Sequence, residues 1–229
     1  MNWVEISKSK DVEQVSTAID VLYINEQDDR GRTPLMLFLT NRMPIEAIQC
    51  LLESKPDLEL KDKLGDTALK KAVKFKQVEA IQLLIEHGAK LDDPLGIQAS
   101  AWNLARRNPD IADMLLDTDG AVRLKLTQAE QAVVDGILYE ESSGKAAAKI
   151  RELDSAVLLH AIVNEYNWDD SPEPMIAVCE HPECAEITRL DMAELLDAEY
   201  WLEMDEDDIT EREDGPAYRQ LAEQLSKRR

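Results

Sequence analysis

Asp62-Lys63-Leu64-Gly65-Asp66-Thr67-Ala68-Leu69 decides the fold, because one unit earlier the chain reads Asp28-Asp29-Arg30-Gly31-Arg32-Thr33-Pro34-Leu35. Behind these runs stand Ile45-Glu46-Ala47-Ile48 and Val78-Glu79-Ala80-Ile81, 33 residues apart. Val12-Glu13-Gln14-Val15 and Ile111-Ala112-Asp113-Met114 keep the same phase on either side. A period near 33 residues means stacked supersecondary units, each burying its apolar face only against its neighbours.

At these residues the chain resembles the ankyrin repeat, whose signature runs Asp-x-x-Gly-x-Thr-Pro-Leu-His. The resemblance implies a turn, two antiparallel helices and a projecting loop, stacked into a solenoid. Gly31 and Gly65 then take the positive-φ position of the turn, where a Cβ is unfavourable. Thr33 and Thr67 cap the first helix, and Pro34 suits its first turn because the missing N–H has no partner there. Glu86-His87-Gly88-Ala89 fits a glycine stop after the second helix. No unit keeps the His of the signature: Met36, Lys70 and Asn103 hold that place. The third unit reads Gly96-Ile97-Gln98-Ala99-Ser100-Ala101-Trp102, with the glycine displaced and Trp102 for leucine, and the first unit has only its helical end. The expectation is an all-α chain. Residues 1–118 form an ankyrin solenoid of about four helix pairs with degenerate caps, and residues 119–229 form a small helical domain.

Charge separates the halves. Of a formal net charge of -21, residues 1–118 carry 15 Lys/Arg against 20 Asp/Glu, and residues 119–229 carry 11 against 27. Such a field repels nucleic acid and anionic membrane and attracts basic partners. No apolar run approaches the roughly 18 residues of a membrane helix, and Met1-Asn2-Trp3-Val4-Glu5 does not read as a signal peptide. Cys50, Cys179 and Cys184 leave one thiol unpaired in any scheme, which suits a reducing cytoplasm, and Cys50 reads as a small core residue.

After Asp117-Thr118-Asp119-Gly120 the repeat phase is lost. Thr127-Gln128-Ala129-Glu130 has capping-box form ahead of Ala132, Val133, Ile137 and Leu138. Ser142-Ser143-Gly144 reads as a break, and one long helix is expected to bury Ile150, Leu153, Val157, Leu158, Ala161 and Ile162. Ser171-Pro172 opens a short helix, another runs from Ile187 toward Tyr200 and Trp201, and Gly215-Pro216 opens the last.

The densest constellation is His160 through Asn164 to Tyr166-Asn167-Trp168-Asp169-Asp170, followed by His181-Pro182-Glu183-Cys184. These residues resemble a bacterial C-terminal domain family of unknown function, marked by Asn-Trp-Asp and a downstream His-Pro-x-Cys, over roughly residues 150–205. Physically they read as a packed corner, with the Trp168 ring buried and Asn167 or Asp169 capping the helix near Pro172. Cys179, His181 and Cys184 with His160 offer four zinc ligands, but their spacing fits no common zinc motif, and no local signature supports a cysteine nucleophile. No metal or cofactor is expected. In Glu203-Met204-Asp205-Glu206-Asp207-Asp208-Ile209-Thr210-Glu211-Arg212-Glu213-Asp214, Thr210 stands where a calcium loop needs glycine, so a solvated acidic loop or a docking surface for a basic partner remains.

By resemblance, ankyrin contacts sit on the turn tips and the end of the first helix. Here these are Asp29, Arg30, Arg32, Thr40 and Asn41, then Lys63, Leu64, Asp66, Lys74 and Phe75, then Arg107 and Asn108. Phe75 is expected to be an exposed aromatic anchor. Asp205, Glu206, Asp207, Asp208 and Glu211 make the acidic docking surface. The expected function is non-enzymatic protein binding. Ankyrin proteins with acidic appendages resemble immunity proteins that neutralise basic bacterial toxins. A scaffold docking an acidic partner through the basic ankyrin row, and a zinc- or cysteine-dependent enzyme, stand as alternatives.

Overall fold

The computed structural model describes residues 1–227. Among them are sixteen α-helices and no strand, divided into two compact units, Met1–Asp119 and a second from Gly120 onward.

The N-terminal unit consists of four helix pairs: α1 (Trp3–Ser9) with α2 (Val12–Val21), α3 (Pro34–Thr40) with α4 (Ile45–Glu53), α5 (Ala68–Lys74) with α6 (Val78–Glu86), and α7 (Ala101–Ala105) with α8 (Pro109–Ala112). The first helices α1, α3, α5 and α7 pack in succession, and so do α2, α4 and α6. Leu35, Phe38, Leu39, Leu69, Ile48, Leu51, Ile81, Leu84 and Trp102 are fully buried between them. The first unit is a complete pair, not a helical end alone. Asn2 caps α1, and Trp3 lies edge-on to Phe38 at 6.0 Å while its indole N–H donates to the Tyr23 carbonyl at 3.0 Å.

The caps follow the chemistry of the sequence. Thr33 Oγ1 accepts from the Met36 N–H and Thr67 Oγ1 from the Lys70 N–H, both at 3.3 Å, and Ser100 takes the same role at 3.2 Å from the Asn103 N–H. In the third unit a 3₁₀ turn, Ile97–Ala99, separates Gly96 from that cap. The displaced glycine is thus an insertion between turn and helix, and Trp102 fills the leucine site completely buried. Cys50 is half-buried, with its Sγ 3.6 Å from Ser16 Oγ, rather than a core residue.

The second unit holds α9 (Gln128–Leu138), α10 (Ser143–Arg151), α11 (Ala156–Glu165), α12 (Glu173–Glu180), α13 (Glu186–Leu195), α14 (Ala198–Glu203), α15 (Glu206–Thr210) and α16 (Gly215–Ser226). Thr127 and Glu130 form the expected capping box on α9, but Val134 and Ile137 face the core while Val133 faces out. The long helix expected across Ile150 and Ile162 is two. Ser155 accepts from the Leu158 N–H and restarts the chain as α11, because a Ser side chain satisfies a helix start better than a helix interior. The expected break falls at residues 139–142, where Ser142 caps α10, and Ser143 and Gly144 already belong to that helix. Asp197, at φ 52°, separates α13 from α14. The closing helix α16 packs on α12, α13, α14 and α15, and contributes fully buried Leu221 and Ala222 to a core with Leu159, Ile162, Met175, Val178 and Met192.

Gly31 has φ +74°, and a Cβ there would stand 3.1 Å from the Lys63 backbone nitrogen of the next turn, whereas Gly88 at φ +85° has nothing within 4 Å. Gly31→Ala is expected to destabilise the protein by about 1–2 kcal/mol in urea unfolding, from the left-handed backbone and the close approach together. Gly88→Ala should lose less. Equal losses would show that the approach to Lys63 contributes nothing.

Candidate functional site

The turn tips are built on aspartate. Asp28 Oδ1 accepts the N–H groups of Arg30 and Arg32, both at 2.9 Å, and Asp62 Oδ1 accepts those of Leu64 at 2.9 Å and Asp66 at 3.0 Å. Successive turns join where the Lys63 N–H donates to the Arg30 carbonyl at 3.0 Å. Around these carboxylates lies a chain of charge pairs. Lys71 Nζ sits 2.6 Å from Asp62 and 2.7 Å from Asp66, Lys74 Nζ 2.7 Å from Asp66, and Lys70 Nζ 2.6 Å from Asp93 of the next turn. At the position of the signature His, Lys70 therefore ties one unit to the next. Burial of Asp62 would raise its pKa, but the Lys71 ammonium and two backbone N–H groups overcome that and hold it below the ordinary range. Burial likewise works against the Lys71 charge, and Asp62 and Asp66 reverse it, so its pKa is raised. Asp93 lies lowest, at about 2, chiefly through the hydrogen bond from Lys70.

The structure sorts the ankyrin contact candidates. Asp29, Arg30, Lys63, Leu64 and Arg107 are exposed, with Leu64 at 80 %. Arg32 turns back on Asp28 through Nε at 2.9 Å and Nη2 at 2.7 Å. Asn41 donates to Ser7 Oγ of the first unit at 2.8 Å, and Asn108 stands at the start of α8. Asp66 is buried beneath Lys71 and Lys74, so it builds the turn and offers nothing to a partner. Phe75, expected to be exposed, is half-buried as the last residue of its helix turn, and its carbonyl accepts from Arg42 at 3.2 Å. Missed in the sequence were Lys10, Arg42 and Lys76, which follow the first helix of three units at φ 58°, 52° and 54°. Their signal was a basic residue recurring at repeat spacing.

In the second unit the Asn167-Trp168-Asp169-Asp170 corner forms one wall of a groove. Trp168 is half-buried, with its indole N–H on the Val163 carbonyl at 3.3 Å and its ring edge-on to Tyr166 at 6.0 Å. Tyr218 from α16 reaches across, donating to the Trp168 carbonyl at 3.0 Å and to the Asp170 carbonyl. Neither Asn167 nor Asp169 caps α12. Asn167 Oδ1 accepts from the Asp169 N–H within the corner, and Ser171 Oγ from the Glu173 N–H. On the opposite wall Trp201 stacks on Tyr218 at 4.8 Å and 17°, and Arg219 holds the end of α14 by donating to the Trp201 carbonyl at 2.7 Å and the Met204 carbonyl at 3.2 Å. The groove encloses about 420 Å³. Burial first, then the carboxylates of Asp214, Asp169 and Asp170, raise the Tyr218 pKa. The sequence drew attention to Trp168, Tyr200 and Trp201 and gave Arg212 only as part of the acidic stretch, whereas Tyr218 comes from another segment and carried no local signal.

The acidic stretch is not a loop. Glu206–Thr210 is helical because Ile209, the one apolar residue among the acids, buries against the unit, and Glu206, Asp207 and Asp208 in the first turn suit the positive end of the helix. Asp205, Glu206, Asp207, Asp208 and Glu211 are all exposed.

His160 is buried, with Nδ1 3.0 Å from Thr188 Oγ1, Nε2 3.8 Å from Asp191, and the Asn164 amide 3.3 Å from Nε2. His181 Nδ1 accepts from the Glu183 N–H at 3.1 Å, so the histidine closes its own turn. Among the described residues no group of three or more His, Cys, Asp or Glu side chains is placed to hold a metal ion, and no helix is long and apolar enough to cross a membrane.

Helix pairs joined by aspartate turns, with caps in register, define the first unit as a stack of repeats. The chain belongs to the ankyrin-repeat family: the family profile for ankyrin repeats in three copies matches residues 6–94 and again 41–125. Residues 154–228 match a domain of unknown function (DUF4274), so the second unit is similar to that family from before α11 into α16. No curated protein matches the chain significantly.

Because Asp93 has a folded pKa of about 2 against an ordinary 3.8, and Asp28 and Asp62 also shift down, their stabilisation is present in full above about pH 4. It is lost as pH falls from there toward 2. Thermal unfolding followed by circular dichroism should show a midpoint falling steeply across that window, with a shallower fall in Asp93→Asn. Parallel profiles for the two proteins would remove Asp93 from the account.

Proposed function

We propose that this is a non-enzymatic binding protein of the bacterial cytoplasm that takes a basic protein as partner, in the manner of an immunity protein covering a toxin. Ankyrin repeats themselves support protein–protein interaction. The observation that carries the finer reading is the exposure of Asp205, Glu206, Asp207, Asp208 and Glu211 together, in a half of the chain with 27 acidic residues against 11 basic. Such a surface speeds encounter with a positively charged partner and rejects anionic ones. A second reading, a scaffold docking an acidic partner, rests on the exposed Arg30 and Lys63 at neighbouring turns.

The test is association with the partner co-purified from the native host, measured with the wild type and with a variant carrying Asp205→Asn, Glu206→Gln, Asp207→Asn, Asp208→Asn and Glu211→Gln. Wild-type association is expected to slow steeply with salt, and the variant to associate about tenfold more slowly at low salt. Growth arrest caused by expressing the partner alone should be relieved by the wild-type protein. Binding insensitive to both salt and the five substitutions, but lost in Arg30→Ala with Lys63→Ala, would overturn this reading in favour of the scaffold.

A further inference from the structure

The groove beside the acidic helix already contains a cation. Arg212, itself exposed, lies with its guanidinium carbon 5.7 Å from the ring centres of both Tyr200 and Trp201, and donates to the Tyr200 hydroxyl at 2.8 Å. Tyr200 is edge-on to Trp201 at 5.7 Å, and the guanidinium stands over both rings. Asp169 and Asp214 line the same groove. Aromatic faces, carboxylates and a hydroxyl acceptor are what a planar cation needs: stacking on one side, charge and hydrogen bonds at its rim.

We infer that this groove receives an arginine side chain of the basic partner, and that Arg212 holds its place in the free protein. The inference rests on the reading of the chain as a binder of a basic protein, and locates one contact of that complex. Two observations besides the ring geometry favour a cation. Burial first, and then the carboxylates of Asp214, Asp169 and Asp170, oppose ionisation of the Tyr218 hydroxyl, and those three carboxylates place negative charge around the groove. The surrounding unit is strongly acidic, so an anionic or neutral occupant gains nothing from it. Arginine is favoured over lysine because its guanidinium is planar, weakly hydrated and stacks on rings, whereas an ammonium is compact and strongly hydrated. Exchange of one guanidinium for another leaves the rings covered in both states, so neither state exposes an empty aromatic cage. Arg212 is then an internal competitor. It lowers the affinity of every cation that enters, and a partner must supply further contacts, such as those of the acidic helix, to displace it.

The test uses blocked tetra-arginine and tetralysine peptides as probes on the full chain, by calorimetry and tryptophan fluorescence. Removing the competitor with Arg212→Ala should tighten tetra-arginine binding about threefold, the scale of an exposed cation–ring contact. Arg151→Ala removes the same charge from an exposed helix position outside the groove and should change it far less. Asp169→Asn with Asp214→Asn should weaken it about fivefold, as loss of two nearby charges. Tetralysine should gain less than tetra-arginine from Arg212→Ala. The inference is overturned if Arg212→Ala binds tetra-arginine no better than Arg151→Ala does, or if tetralysine gains as much. If groove variants have no effect while the five substitutions in residues 205–211 still slow the natural partner, the groove assignment falls and the basic-partner reading stands. Indifference to both sets would end both.

Discussion

A carboxylate that satisfies the backbone of its own turn is the constraint on which the repeat stack depends. Asp28 and Asp62 each accept two N–H groups that a tight turn would otherwise leave to water, and in doing so fix the direction in which the chain enters the next helix. The same carboxylates then gather cations. Arg32 closes on Asp28, and Lys71 closes on Asp62 and Asp66. Partial burial makes such pairs expensive to break singly, because removing one member leaves the other charge without compensation. Conformation, charge and stacking thus meet at one residue type per unit, and the regular spacing of aspartate follows from that.

The repeat half was legible because its signals are local. Gly31 and Gly65 adopt φ of 74° and 79°, Thr33 and Thr67 cap as their positions imply, and Ile48 and Ile81 are buried, although Val78 at the start of α6 is exposed. Where the reading failed, a side chain was judged by its place in the pattern without its neighbours in space. Asp66 sits at a variable position, yet two lysines one and two turns along α5 cover it. Phe75 follows a basic residue at a helix end, yet it is only partly exposed, and its carbonyl accepts from Arg42 of the preceding unit. These are tertiary facts, and no window along the sequence contains them.

The second unit was legible only as helices. Ser142 and Ser155 illustrate why: each begins a helix, and only the second lies inside a stretch periodic enough to read as continuous. The groove was harder still, since Trp168, Trp201, Arg212 and Tyr218 come from four different segments. Its clue was composition: of the chain's two Phe, four Trp and five Tyr, Tyr166, Trp168, Tyr200, Trp201 and Tyr218 all fall in the second unit. The Asn-Trp-Asp corner gains a physical meaning from this arrangement. Its backbone carbonyls anchor the Tyr218 hydroxyl, which sets the ring that Trp201 stacks upon.

Gly215 opens α16, so close to the Ile209 carbonyl of α15 that a Cβ would lie 2.1 Å from its oxygen. That close approach holds α15, with Glu206, Asp207 and Asp208, against the helix bearing Tyr218, and a methyl group there would force them to shift. The acidic turn of α15 and the Tyr218 ring are consequently placed relative to each other by one hydrogen atom standing where any other residue has a side chain.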